Sequence, residues 1–281
     1  MAAGPDVRCH PLGVLECVVN ISEGRDRGVI EVIAAAAGDA LLDVHTDPHH
    51  HRSVLTLVGE DAARAVAVAA LEHIDLRTHD GVHPRLGAVD VVPFVALDGS
   101  TDADALAARD RFAAWWAAEH GVPTFRYGPE RTLPEVRRRA FRDLAPDHGP
   151  AAPHSTAGAT AVGQRPELVA YNVWVADVDL ALVGALAAAV RRPGIRTLGL
   201  AVGDRWQVSM NLIAPDEVGP AEAYDAVVAA TAELGGRVEG AELVGLVPER
   251  VLRAIPPVRW TALDLSEDRT IEARLAGRRP G

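Results

Sequence analysis

Short apolar runs alternate along the chain with longer stretches whose apolar residues recur at helical spacing. Residues 15–20 read as a buried strand and 25–37 as a helix. Runs at 40–44 and 53–58 predict two strands, 62–74 a helix and 89–96 a further strand, so the first pattern is β-α-β-β-α-β. A long helix around 104–119, a strand at 124–127 and an Arg-rich helix over 133–143 follow. From 144 to 166 Pro, Gly, Ala, Ser and Thr dominate, which reads as a loop, and loops of that length are usually functional or linkers. The first order then returns: strand 168–175, helix 178–191, a strand pair at 197–202 and 207–213 turning at Gly203-Asp204, helix 219–234 and strand 242–247. The pattern predicts an α+β fold of two ferredoxin-like (βαββαβ) subdomains in tandem, the first with an added helix-strand-helix extension. The expected division is 1–160 and 161–281.

Composition narrows the chemistry. A net charge of −11 disfavours a general nucleic-acid surface, because phosphate binding needs a basic face. All 28 basic residues are Arg, which removes Schiff-base, P-loop and kinase lysines. Cys9 and Cys17 cannot form a disulfide framework, and neither is spaced like a zinc site. No apolar run approaches a bilayer span, and the start lacks a charged-then-apolar signal, so the expected location is the cytoplasm, with no membrane partner.

The densest candidate for chemistry is Thr78-His79-Asp80-Gly81-Val82-His83-Pro84-Arg85-Leu86-Gly87. Pro84 biases His83 towards an extended backbone, and Arg85 lies two residues on, which puts both side chains on one face of an extended segment. An imidazole beside a fixed cation suits acid/base work on an anionic substrate. A loop histidine capping a helix end fits the same spacing. A second feature is His45 followed by Asp47-Pro48-His49-His50-His51-Arg52. It reads either as a metal tract or as a solvated turn, and no metal is expected. Arg52 opens a strand and could hold a carboxylate in bidentate fashion. The run Arg137-Arg138-Arg139 reads as a solvated helix face. There is no dinucleotide fingerprint, P-loop, nucleophile elbow or zincin motif.

Glu16-Cys17-Val18-Val19-Asn20-Ile21-Ser22-Glu23-Gly24 resembles the opening of formiminotransferase domains, and His83-Pro84-Arg85-Leu86-Gly87-Ala88-Val89-Asp90-Val91 resembles their H-P-R-M-G-A-L-D-V. Gly158-Ala159-Thr160, Gln207-Val208-Ser209 and Leu243-Val244-Gly245-Leu246-Val247-Pro248 follow in the same order. The resemblance spans roughly 15–255 and is to the transferase without its cyclodeaminase partner. It implies transfer of the formimino group from N-formiminoglutamate to N5 of tetrahydrofolate, the co-substrate, in histidine degradation and one-carbon metabolism. It also implies a homodimer with a tunnel between subdomains, 1–160 carrying the catalytic His. The family's catalytic histidine falls on His83, and its folate loop on 149–158, with Gly149, Pro150, His154, Ser155, Thr156 and Gly158 as contacts. Arg52, Arg85 and His45 are the candidates for the substrate side.

The chain departs from the family pattern at Asp80 and Val82, where a cation and an acid are usual, at His45, where an aspartate is usual, and at Ala157, where a Trp is usual. Two other readings therefore stand beside the first: a divergent member that moves a one-carbon or formimidoyl unit with another substrate, and a non-catalytic protein that binds folate or an acidic metabolite.

Overall fold

The computed structural model describes residues 13–81 and 84–278. Strand β1 (Leu15–Ile21) alternates, with Cys17, Val19 and Ile21 fully buried. Helix α1 (Arg27–Ala35) starts where the Asp26 carboxylate accepts the Val29 amide, and buries Ile30, Ile33 and Ala34 on one stripe. β2 (Leu41–Asp47), β3 (Arg52–Val58), α2 (Glu60–His73) and β4 (Val89–Ala96) complete the first unit. The extension is α3 (Asp102–His120), β5 (Thr124–Tyr127), α4 (Leu133–Arg139) and β6 (Thr160–Gln164). Reciprocal caps between Thr101 and Asp104, and between Thr132 and Glu135, fix the starts of α3 and α4.

The six strands form one sheet in the order β2-β3-β1-β4-β6-β5, with β6 parallel to both β4 and β5. Trp116, Phe112 and Phe94 fill the core beneath it, and the Trp116 indole N–H donates to the Thr160 hydroxyl at 3.0 Å. The second unit is β7 (Val169–Ala176), α5 (Leu180–Val190), β8 (Ile195–Val202), β9 (Arg205–Leu212), α6 (Pro220–Glu233) and β10 (Arg237–Val244), in the order β10-β7-β9-β8. In both units the last strand lies beside the first and the third beside the second. The fold is thus the expected tandem pair of ferredoxin-like units. Among the described residues no helix is long and apolar enough to cross a membrane.

Three local expectations change. The segment 144–166, read as loop, contains β6, a buried strand whose five residues, Thr-Ala-Val-Gly-Gln, carry little β signal. Because β6 pairs within the first sheet, the expected 160/161 division runs through the start of that strand. Helix α4 stops at Arg139, where Ala140 turns extended and Phe141 adopts φ 59°. β10 begins at Arg237, five residues before the predicted start, because it is an edge strand with charged outer positions, which hides its period.

After β10, short helices α7 (Glu249–Arg253), α8 (Pro257–Trp260) and α9 (Ile271–Ala276) run back over the molecule. Leu246 and Ile271 pack on Leu42 of β2, so the second unit and the tail both dock on the first sheet.

Candidate active site

The site is built where β1 and β2 end and β3 begins, with residues 79–81 and 84–88 beside them. His83 and Val82 lie outside the described residues, so the site is defined by what holds the segment on either side.

On the upstream side, the Gly81 amide donates to His79 Nδ1 at 3.1 Å. That bond places the His79 proton on Nε2, which donates to the His51 carbonyl at 3.1 Å. The His79 and His51 rings stack with centroids 4.0 Å apart. His51 Nδ1 accepts the Gly24 amide at 3.1 Å, while the neighbouring Glu23 carboxylate caps the amides of residues 24–26. Both imidazoles are held below their ordinary pKa: burial comes first in each, followed for His79 by the Arg85 cation, whereas at His51 Glu23 opposes the shift. Gly81 is required by space. A Cβ there would lie 2.6 Å from both the His51 Cβ and the His79 ring. The Arg85 guanidinium folds back on the Gly81 carbonyl and closes the segment on itself.

On the downstream side, the turn 154–158 closes on itself through the His154 and Gly158 main chains. It then bonds to the site segment: Ala88 N–H donates to the Ala157 carbonyl and Ala159 N–H to the Leu86 carbonyl, both at 2.9 Å. His154 Nδ1 accepts the Ala157 amide at 3.1 Å. Gly149, Pro150 and Ser155 are exposed, and His154 and Thr156 half-buried, whereas Gly158 is buried against Leu86. Ala157 is 2% exposed, in the core of the first unit. The structure therefore brings the two segments that sequence singled out into direct contact.

Arg52 is the first residue of β3. Its Nε and Nη2 donate to Asn20 Oδ1 at 3.2 and 2.5 Å, and its Nη1 is 3.9 Å from Asp90. Asp90 is 1% exposed. Its carboxylate accepts the Leu86 amide at 2.7 Å and pairs with Arg137 at 2.7 Å. Burial pushes this carboxyl up, but Arg137, Arg52 and those hydrogen bonds outweigh it and leave it below the ordinary range. Arg85 also feels the Asp90 charge. Asp90 thus pairs with Arg137, stands near Arg52 and acts on Arg85 through its charge, so arginines gather around it at this end of the sheet.

His45 stands apart from this cluster. Its Nε2 is 3.3 Å from the Glu242 carboxylate of β10, which Asn172 and Gln207 also hold, so His45 links the two units. Burial raises the Glu242 pKa, yet the bonds from His45 and Asn172 win and lower it. The histidine tract folds as a turn: Asp47 accepts the His49 and His50 amides and the His50 ring, and His49 Nε2 accepts the Gly203 amide from the second unit. Burial opposes these bonds, yet the Asp47 carboxyl is lowered to about 2. Among the described residues no three His, Cys, Asp or Glu side chains gather as metal ligands. Asp80, the acid where the family has a cation, pairs with Arg25 at 2.5 Å on the surface.

Sequence reasoning missed Arg137, read as solvated, and the roles of Asp90 and Glu242. A lone acid inside the apolar run Val-Asp-Val-Val-Pro-Phe-Val was a usable signal, since a charge buried in a strand demands a partner.

The family described as the formiminotransferase domain, N-terminal subdomain, matches residues 14–165, which end just after β6. A glutamate formimidoyltransferase of Streptococcus pyogenes serotype M1 is 34% identical over 270 residues, covering 85% of this chain and 90% of that protein. Another from Thermoplasma acidophilum is 34% identical over 275 residues, covering 86% and 90%. The chain belongs to the formiminotransferase family. It is a transferase. The formimidoyltransferase-cyclodeaminase of Sus scrofa is 32% identical over 278 residues, 85% of this chain but only 51% of that longer protein.

Proposed function

We propose that this formiminotransferase moves the formimino group from N-formiminoglutamate to N5 of tetrahydrofolate, with His83 as general acid and base. N5 attacks the formimino carbon and passes its proton to the imidazole. The carbon–nitrogen bond to glutamate then breaks, and the imidazole returns the proton to the leaving amine. One group of near-neutral pKa can serve both steps and typically contributes ~10²–10⁴-fold. Arg52 and Arg85 attract the substrate carboxylates, and His45 stands where the two units meet. The turn 154–158 and the exposed stretch from Gly149 carry the folate side. The observation that carries the reading is the contact of that turn with the segment leading from His83, at the cationic end of the sheet.

In this reading the protein works as a cytoplasmic homodimer in histidine degradation and one-carbon metabolism, with the first unit, which runs through β6, as its catalytic subdomain and the second unit after it. One observation favours a second reading, an acceptor other than folate: residues 149–158 hold no Phe, Tyr or Trp on which a pterin could stack, their one aromatic ring being the His154 imidazole engaged by the Ala157 amide, and Ala157 is in the core. Steady-state kinetics with both substrates separates the two. Formation of 5-formiminotetrahydrofolate supports the first; a folded protein that releases glutamate only with another amine acceptor supports the second. Folate binding without turnover of any donor would leave neither standing.

A further inference from the structure

The segment around His83 has its downstream end fastened by a residue outside the motif. Arg137 of α4 donates from Nη1 to the Pro84 carbonyl at 2.9 Å, and from Nη2 to Asp90 Oδ2 at 2.7 Å. Its Nη1 also lies 3.4 Å from Asp90 Oδ1, so the guanidinium meets the carboxylate edge-on while reaching the loop. Asp90 is fixed in turn by the Leu86 amide, and the capping box of Thr132 and Glu135 fixes the start of α4. Arg138 and Arg139, beside it on the same helix, are exposed. Arg137 is only about a fifth exposed.

We infer that Arg137 is a positioning residue: seated on the buried Asp90 carboxylate, it holds the Pro84 carbonyl and so fixes the Pro84–Arg85 peptide, one residue after His83 in the chain. The inference rests on the reading of His83 as the acid/base. A planar guanidinium meets a carboxylate and a carbonyl together because its donors diverge in a fixed fork; an ammonium on a Lys stem keeps the charge but not that geometry. Catalysis depends on placement at this scale, since a displacement of about 1 Å can cost ~10²-fold in rate.

The test compares Arg137→Ala and Arg137→Lys with the exposed control Arg138→Ala. The expected result is a fall in kcat of ~10–10²-fold for Arg137→Ala, with KM for both substrates nearly unchanged and partial recovery in millimolar guanidinium ion. Arg137→Lys, which retains the pairing to Asp90 and hence the fold, should fall in between, and Arg138→Ala should match wild type. The His83 imidazole resonance, assigned by its loss in His83→Gln, gives a readout without substrate: it should shift in both Arg137 variants and stay put in Arg138→Ala. An unmoved His83 resonance in folded Arg137→Lys and Arg137→Ala would overturn the role, whatever the reaction. A wild type silent with N-formiminoglutamate and tetrahydrofolate, but with the resonance shift intact, would overturn the substrate reading and leave Arg137 in place.

Discussion

Asp90 is the residue on which the site's charges balance. It is buried against Arg137, with Arg52 3.9 Å away, and removing it takes from the Arg137 guanidinium the carboxylate on which it is seated. Asp90→Ala is predicted to cost about 3–5 kcal/mol, the usual result of breaking a buried pair from one side. Urea unfolding at neutral pH measures it; a loss under ~1 kcal/mol, the value of an exposed pair, would show that solvent reaches the carboxylate after all. Asp90→Asn keeps the acceptor for the Leu86 amide but not the charge, so it should fall between wild type and Ala. Arg52 and Arg85 were legible as candidates in sequence because an arginine beside a Pro-flanked histidine or at a strand start carries its chemistry in its identity. Arg137 was not, because an arginine in a run of three on a helix looks the same whether it is solvated or reaches 53 residues back to a carbonyl.

At the scale of elements, the turn 154–158 is the strap that keeps the site segment on the sheet. Gly158 sits at φ +69°, and a Cβ there would lie 2.3 Å from the Leu86 carbonyl oxygen. Gly158→Ala therefore adds backbone strain to a clash with main chain that cannot step aside. The expected cost is above ~1 kcal/mol, with activity falling more than stability, because the displaced strand leads to Arg85 and Pro84. Thermal denaturation beside kinetics checks both, and a variant as stable and active as wild type would show that the strap is slack. Regular elements with a clear period were readable, as β1 and α1 show. β6 and β10 were not, since one is built of small and polar residues and the other is a charged edge; both owe their strand state to partners distant in sequence.

For the whole molecule, the question is how two units and a tail stay docked. Glu16 of β1 is 5% exposed, and burial, with Glu167 and Glu272 nearby, pushes its pKa up to about 7 although Arg165 opposes the shift. A carboxyl whose folded pKa is raised stabilises the fold fully below its unfolded value near 4.5, and that contribution fades as pH rises through about 7. Glu16→Gln should thus be more stable than wild type at pH 8, by roughly 1–3 kcal/mol, with the advantage gone by pH 5. A gap that is constant across pH would mean that Glu16 is not the titrating group. Glu242 works in the opposite sense. Its lowered pKa makes the link to His45, Asn172 and Gln207 a source of stability above the unfolded carboxyl value, lost as acid protonates it. The tandem order of the units was plain from the repeated pattern, but their docking through Leu42, Leu246, Ile271 and the His45–Glu242 pair was not, because each partner looks ordinary in its own segment.

The central claim, that one imidazole moves the proton in formimino transfer, is tested most directly by the turnover of His83→Ala with N-formiminoglutamate and tetrahydrofolate, beside wild type. The account predicts a folded variant whose kcat falls by ~10²–10⁴-fold. Near-normal turnover by that folded variant would contradict it.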